Sequence, residues 1–316
     1  MNELYSTRNN NLIDPYVHVW GWEIPVYLFL GGLVAGMMII SGYFIFNGRY
    51  KEEKCSCNFL PIISIIALSL GMFALFLDIE YKVHVWRFYT TFQITSPMSW
   101  GSWILIIVYP ALAAMFLINP NNMLKEKIPY IKKISEFFSK HPYLVKNIGI
   151  GNMILGGMLG IYTGILLSSL VARPLWNSSI LGMLFLVSGL SSAAAFVHMI
   201  AKDRYERELL AKADNSFLVI ELFIFLLFFI GLFTATQVHI DAANLMLSGS
   251  YAPVFWVFVI GLGIVIPLFI QSLAVNHKIQ HTPVAPILVI LGGLLLRFVI
   301  VEAGQYSKWI TTTLAK

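Results

Sequence analysis

The sequence predicts an all-α integral membrane protein with eight transmembrane helices. Three observations carry this. Charged residues make up 12% of the 316 and hydrophobic residues 58%, about half the charge of a soluble domain. Mean hydropathy is +0.76. The protein also divides into eight apolar runs of the roughly 20 residues needed to cross about 30 Å of hydrocarbon. Helices are required because a backbone in lipid must satisfy its own hydrogen bonds, and the runs lack the alternation of barrel strands.

In sequence order the runs are 23–46, 59–78, 99–118, 148–170, 179–200, 216–239, 252–273 and 284–303. The first opens with "VWGWEIPVYLFLGGLVAG", which sets Glu23 and Tyr27 on one face, four residues apart, behind Trp20 and Trp22. The second ends at Asp78. The third enters through "SPMSWGSW". The fourth carries Gly156, Gly160 and Gly164 at four-residue spacing, a face for close helix contact, and then Tyr162; Arg173 follows it. "MLFLVSGLSSA" in the fifth resembles "YLFLGGLVAG" in the first. That echo predicts two four-helix bundles, 1–170 and 171–316, related by a parallel repeat. Glu221 lies inside the sixth run, which His239 and Asp241 close. Arg297 lies inside the eighth, with Glu302 and Gln305 at its end.

Lysine and arginine set the direction. The loops after runs 1, 3, 5 and 7 carry 14, whereas the remaining loops and both tails carry 6. The excess makes the first set cytoplasmic and puts both termini on the outer, periplasmic side of a prokaryotic inner membrane. All eight tryptophans then fall at or near the outer face. Residues 1–20 carry no basic segment before a short apolar run and do not read as a cleavable signal. The net charge of +5 follows from topology and calls for no nucleic-acid partner. The loop "KEKIPYIKKISEFFSK" is either a surface helix on Ile128, Ile131, Ile134 and Phe138 or a solvated basic loop.

Ionisable groups inside a span are costly, so each is a functional candidate. Glu23, Tyr27, Asp78, Tyr162, Arg173 and Arg297 gather toward the outer side. Ordinary alternatives exist: end-of-helix charges for Asp78 and Arg173, interfacial aromatics for the tyrosines. Arg297 needs a buried partner, with Asp78 and Glu302 as candidates. His198, Asp214 and Glu221 form an inner set. There Glu221 is either a proton-relay carboxyl or a partner of Lys202 or Arg204. The seven histidines all lie in loops or near helix ends, so no pair is placed to ligate a haem within the bundle, and Cys55 and Cys57 alone hold no iron–sulfur cluster. The same two cysteines predict no disulfide framework. Two rival readings remain: a secondary transporter with a polar site between helix bundles, and a purely structural anchor.

Five stretches in order, "YLFLGGLVAG", "SPMSWGSW", "YTGILLSSLVARPLWN", "LFLVSGLSS" and "LLLRFVIVEAGQ", resemble the polysulfide reductase membrane-subunit family, often called NrfD-like, over nearly the whole length. The resemblance implies a haem-free, quinone-reactive anchor that binds menaquinone near the outer face. It also implies a docked ferredoxin-like iron–sulfur subunit there, which relays electrons to a molybdopterin catalytic subunit, most naturally of a polysulfide reductase. Tyr27 and Tyr162 match the quinone-facing aromatics, with Trp22 and Arg173 beside them as cofactor-binding candidates. Asp78, Glu221 and Arg297 match the framework's polar positions and, with Glu23, are the candidates for catalytic proton handling. One segment departs from the family pattern. Where an aspartate followed by Leu-Gly-Arg-Pro is usual, this sequence reads "DIEYKVHVWRF", which predicts different local contacts.

Overall fold

The computed structural model describes residues 20–120, 122–170, 172–275 and 282–307. The first 19 residues, where the signal reading falls, and Trp309 lie outside the described residues. The protein forms α1 (Glu23–Phe46), α2 (Leu60–Asp78), α3 (Arg87–Thr90), α4 (Pro97–Ile118), α5 (Asn122–Lys127), α6 (Pro129–Lys140), α7 (Pro142–Ser168), α8 (Ile180–Ile200), α9 (Arg204–Phe233) and α10 (Gln237–Leu247), then α11 (Val254–Val275) and α12 (Val284–Tyr306). Eight of these are long and apolar enough to cross a membrane: α1, α2, α4, α7, α8, α9, α11 and α12. No strand occurs among the described residues.

Helix α1 is the most enclosed span and packs against α2, α7, α8 and α12. Small residues let the backbones meet: a Cβ at Gly36 would sit 2.7 Å from the carbonyl oxygen of Gly189 on α8, so the "GGLVAG" stretch is a helix-contact face. The first twelve residues of α11, Val254–Val265, wind as a π-helix, and Gln271 lies on the α-helical turns that follow.

One boundary changes, one open alternative is decided and one local disulfide is added. The sixth run does not reach His239. Helix α9 ends at Phe233, Thr234 caps it by donating to Ile230 O at 2.9 Å, and a Thr236–His239 contact of 2.8 Å opens the separate helix α10. At its other end α9 extends back to Arg204, because "RYERELLAKAD" is rich in helix formers and carries an Arg204–Glu208 pair one turn apart. The basic loop forms the helix α6, with Ile131 and Phe138 partly buried, Ile128 and Ile134 exposed. Cys55 and Cys57 are joined in a disulfide, which closes a ring within one turn and links no two helices.

At the basic end of the bundle, Arg49 ties the α1–α2 loop to the α8–α9 connection. Its Nη2 contacts Asp203 at 2.5 Å and Glu52 at 2.6 Å. Fully buried Glu206 accepts from the Ser56 hydroxyl at 2.5 Å and backbone N–H at 3.1 Å. The Arg49 guanidinium also lies over the Tyr205 ring at 4.6 Å, and the neighbouring carboxylates hold its pKa above the usual arginine value.

Candidate functional site

At the tryptophan-bearing end, α1, α2, α4, α7 and the α2–α4 connector enclose a cavity of about 780 Å³. Its walls are mostly apolar, with Ile24, Met72, Phe76, Leu105 and Leu166 among them. The polar groups that are not exposed are few: Tyr27 from α1, Asp78 at the end of α2, Tyr89 from α3, Ser102 from α4 and Tyr162 from α7, with Trp20 beside them; the exposed Ser69, Glu80, Tyr81, His84 and Arg87 also line it. Few polar groups on an apolar surface are the usual makeup of a small-molecule site.

Tyr27 and Tyr162 are 2% and 6% exposed, and their hydroxyls lie near each other in the lining. Helix α4 makes room for the second of them. Gly101, inside "SPMSWGSW", leaves the space that the Tyr162 phenol occupies, and any Cβ there would overlap the ring. The serines of the same motif hold the connector. Ser102 Oγ donates to Phe88 O at 2.7 Å. Ser99 Oγ donates to Thr91 O at 3.3 Å and accepts from Gln93 N–H at 3.0 Å. Trp100 Nε1 donates to Ile94 O at 2.6 Å. These bonds bracket Tyr89, the one residue of α3 that is not exposed. Its hydroxyl interacts electrostatically with Tyr27, Tyr162 and Tyr109, and burial, then Tyr109, raises its pKa above the usual phenol value.

The other sequence candidates lie elsewhere. Trp22, 53% exposed, and Glu23 are not in the cavity lining, although Glu23 is close enough to Asp78 for their charges to interact. Arg173 donates to Ser307 O at 3.2 Å and so ties the α7–α8 connection to the end of α12. Gln305 makes paired bonds of 2.9 Å with the Trp20 backbone, and the Trp20 ring stacks on Trp176 at 5.1 Å.

Arg297 and Glu221 meet in a second, deeper cluster. Arg297 is fully buried and donates to Ser188 Oγ at 2.5 Å, Gly293 O at 2.9 Å and Phe185 O at 2.9 Å. Its guanidinium lies 4.9 Å from the centre of the Phe185 ring. Glu221 lies near enough for its charge to interact with that of Arg297. In place of the expected Asp78 or Glu302, Arg297 bonds Ser188 and the two carbonyls, and Glu221 is the carboxylate within electrostatic range; no ion pair of Glu221 with Lys202 or Arg204 is found among the described residues. Burial explains both corrections: a guanidinium inside the bundle needs acceptors at its own depth, and α8 supplies them. Two turns further along α9, Asp214 accepts from Ser191 Oγ at 2.6 Å and Gln271 Nε2 at 2.7 Å. Arg297 also approaches α1, where a Cβ on Gly32 would stand 3.2 Å from Nη2.

Sequence reasoning missed Tyr89, Ser99 and Ser102. The signal was present in the serines at the entry of an apolar span, whose hydroxyls need partners outside their own helix.

Known proteins are similar to this one in sequence along most of its length. The family model described as polysulphide reductase, NrfD, matches residues 8–307. A protein NrfD homolog of Haemophilus influenzae is 30% identical, over 92% of this protein and 95% of its own length. A polysulfide reductase chain of Wolinella succinogenes is 28% identical, over 96% and 99%. A tetrathionate reductase subunit of Salmonella typhimurium is 26% identical, over 87% and 75%. With nearly the whole length matched and eight helices long and apolar enough to cross a membrane, the protein belongs to the polysulphide reductase NrfD family.

Proposed function

We propose that this protein is the quinol-reactive membrane anchor of a respiratory reductase complex, with the cavity at the tryptophan end as the quinol site. The observation that carries the reading is the buried Tyr27–Tyr162 phenol pair in an apolar cavity with Asp78 at its edge. A quinone is a flat apolar ring with two carbonyls and an isoprenoid tail. It needs apolar walls, donors at the oxygens and a carboxylate or water path for two protons. Tyr27 and Tyr162 supply donors, while Asp78, with Glu23 nearby, takes protons toward water. Menaquinol fits this chemistry and would give up two electrons and two protons there.

The electrons then pass to an extrinsic iron–sulfur subunit. The α2–α4 connector is the natural docking face, since it covers the cavity and exposes Trp86, Phe92 and Ile94. From there they pass to a molybdopterin subunit, with polysulfide as the acceptor that the relative from Wolinella favours. The lysine and arginine bias supports an outer cavity and outer termini. Glu221 and Arg297 serve proton handling at a distance from the ring: the intramembrane carboxyl can take up and release a proton, and the permanently charged guanidinium steadies its ionised form.

The test is Tyr27→Phe and Tyr162→Phe in the assembled complex. Each removes a donor and keeps the ring. A bond of this kind contributes about 0.5–1.5 kcal/mol, more when its acceptor gains charge in the transition state, and tenfold in rate requires about 1.4 kcal/mol. Quinol-linked turnover falls several-fold to over tenfold, while activity with an artificial donor that feeds the extrinsic subunits is retained. An unchanged ratio of the two activities in both variants refutes the assignment.

A further inference from the structure

We propose that Tyr89 is a further catalytic residue of the quinol site, the donor to the second ring oxygen, and that Ser99 and Ser102 are its positioning residues. The inference rests on the quinol reading above and begins from a count of protons. A phenol has one O–H. The Tyr27 and Tyr162 hydroxyls lie next to each other, so the pair serves one end of a ligand. A quinone ring has two oxygens on opposite sides, and the second needs a donor from elsewhere in the lining.

The lining offers few. Ser102 Oγ already donates to Phe88 O and lies 2.8 Å from Ser99 O. Ser69 Oγ pairs with Tyr109 Oη at 3.3 Å. Tyr81, His84 and Arg87 are exposed, the Arg87 guanidinium lies over the Trp86 ring at 5.7 Å, and the Trp20 ring is stacked on Trp176 at 5.1 Å. Tyr89 is different. It is part-buried, it lines the cavity, and it stands within electrostatic reach of Tyr27, Tyr162 and Tyr109.

Its backbone is also held to an unusual degree for a connector. The carbonyls of Phe88 and Thr91, on either side of it, both accept from serine hydroxyls at the entry of α4. Connecting segments are ordinarily the mobile parts of a fold; here two side-chain bonds hold the backbone on either side of one tyrosine and so limit where its ring can reach. A donor held in place before the substrate arrives costs no reorganisation during the reaction.

The test uses the purified complex with a water-soluble menaquinol analogue, an artificial donor, and titration with the quinone-site inhibitor 2-heptyl-4-hydroxyquinoline N-oxide. Tyr89→Phe lowers kcat/KM for the quinol by about fivefold or more and weakens the inhibitor, with the artificial-donor rate unchanged. Ser102→Ala produces a smaller loss, expressed more in KM than in kcat. Combining Tyr89→Phe with Tyr27→Phe multiplies the two losses, because they serve different oxygens. Combining Tyr27→Phe with Tyr162→Phe does not, because those two act as one pair. Tyr89→Phe with quinol kinetics within twofold of wild type overturns the proposal. So does an equal loss in the artificial-donor assay, or a loss that appears in His84→Gln or Arg87→Gln instead. A wild-type complex that does not oxidise quinol at all refutes the quinol reading itself, an outcome distinct from a normal wild type with a silent Tyr89→Phe.

Discussion

Gly101→Ala is the smallest change that reaches the site without touching a polar group. Gly101 is buried in α4, and an added Cβ would overlap the Tyr162 ring at its hydroxyl end. The α4 backbone is held at both sides of Gly101 by the Trp100 and Ser102 bonds to the connector, so the phenol moves rather than the helix. To regain van der Waals contact, the ring must retreat by an amount on the order of 1 Å, a misplacement that can cost about a hundredfold in rate. Loss of one hydrogen bond from the Tyr162 hydroxyl to the quinol alone costs about 0.5–1.5 kcal/mol. The expected outcome is a fall of about ten- to a hundredfold in quinol-linked turnover. Helix propensity works the other way, since alanine is favoured over glycine by about 1 kcal/mol in a helix interior; assembly and artificial-donor activity therefore persist. The assay is the ratio of quinol to artificial-donor rates in membranes carrying equal amounts of complex. A wild-type ratio in Gly101→Ala, with the protein assembled, refutes the claim that Tyr162 must stand where it does.

Further outcomes follow from neighbouring contacts. Gly32→Ala brings a Cβ to 3.2 Å from Arg297 Nη2; the tight contact perturbs the Ser188 and Phe185 bonds, and quinol turnover falls with the inhibitor's affinity preserved. Arg297→Leu leaves Glu221 without its counter-charge in the membrane interior. Removing one partner of a buried pair costs about 3–5 kcal/mol, so the yield of folded protein after detergent extraction drops, and adding Glu221→Gln restores part of it. At the basic end, the Arg49 guanidinium holds the Asp203 carboxyl below its ordinary pKa. A depressed carboxylate contributes stability that is present above the unfolded pKa of about 4 and is lost as pH falls through the folded value. The pair is solvent-accessible, so the contribution is under about 1 kcal/mol. Asp203→Asn should make the melting temperature slightly less sensitive to pH below about 4, and an unchanged acid slope counts against the pair.

The spans were legible because a run of about 20 apolar residues has only one stable form in lipid. Glu23, Tyr27, Asp78 and Tyr162 were legible as a group because helix spacing and the direction of each span put them at one end. Arg297 was legible as a buried charge but its partners were not: Ser188 and the Phe185 carbonyl lie on α8, 109 and 112 residues away, and depth in the bundle, not position in the sequence, selects them. The break at Thr234 was hidden because Val238 and Ile240 continue the apolar pattern past it. Tyr89 was hidden for another reason. Its helix is four residues long, too short for any periodic signal, and its role depends on two serines contributed by the next helix.

Photoaffinity labelling tests most directly whether quinol binds between α1, α4, α7 and the α2–α4 connector. The purified complex is illuminated with an azido-menaquinone analogue and its labelled peptides are mapped. Label is expected on peptides carrying Tyr27, Tyr89 or Tyr162, removed by excess menaquinol and reduced in Gly101→Ala. Menaquinol-sensitive label confined to peptides of α9 and α12, around Glu221 and Arg297, would contradict this placement of the site.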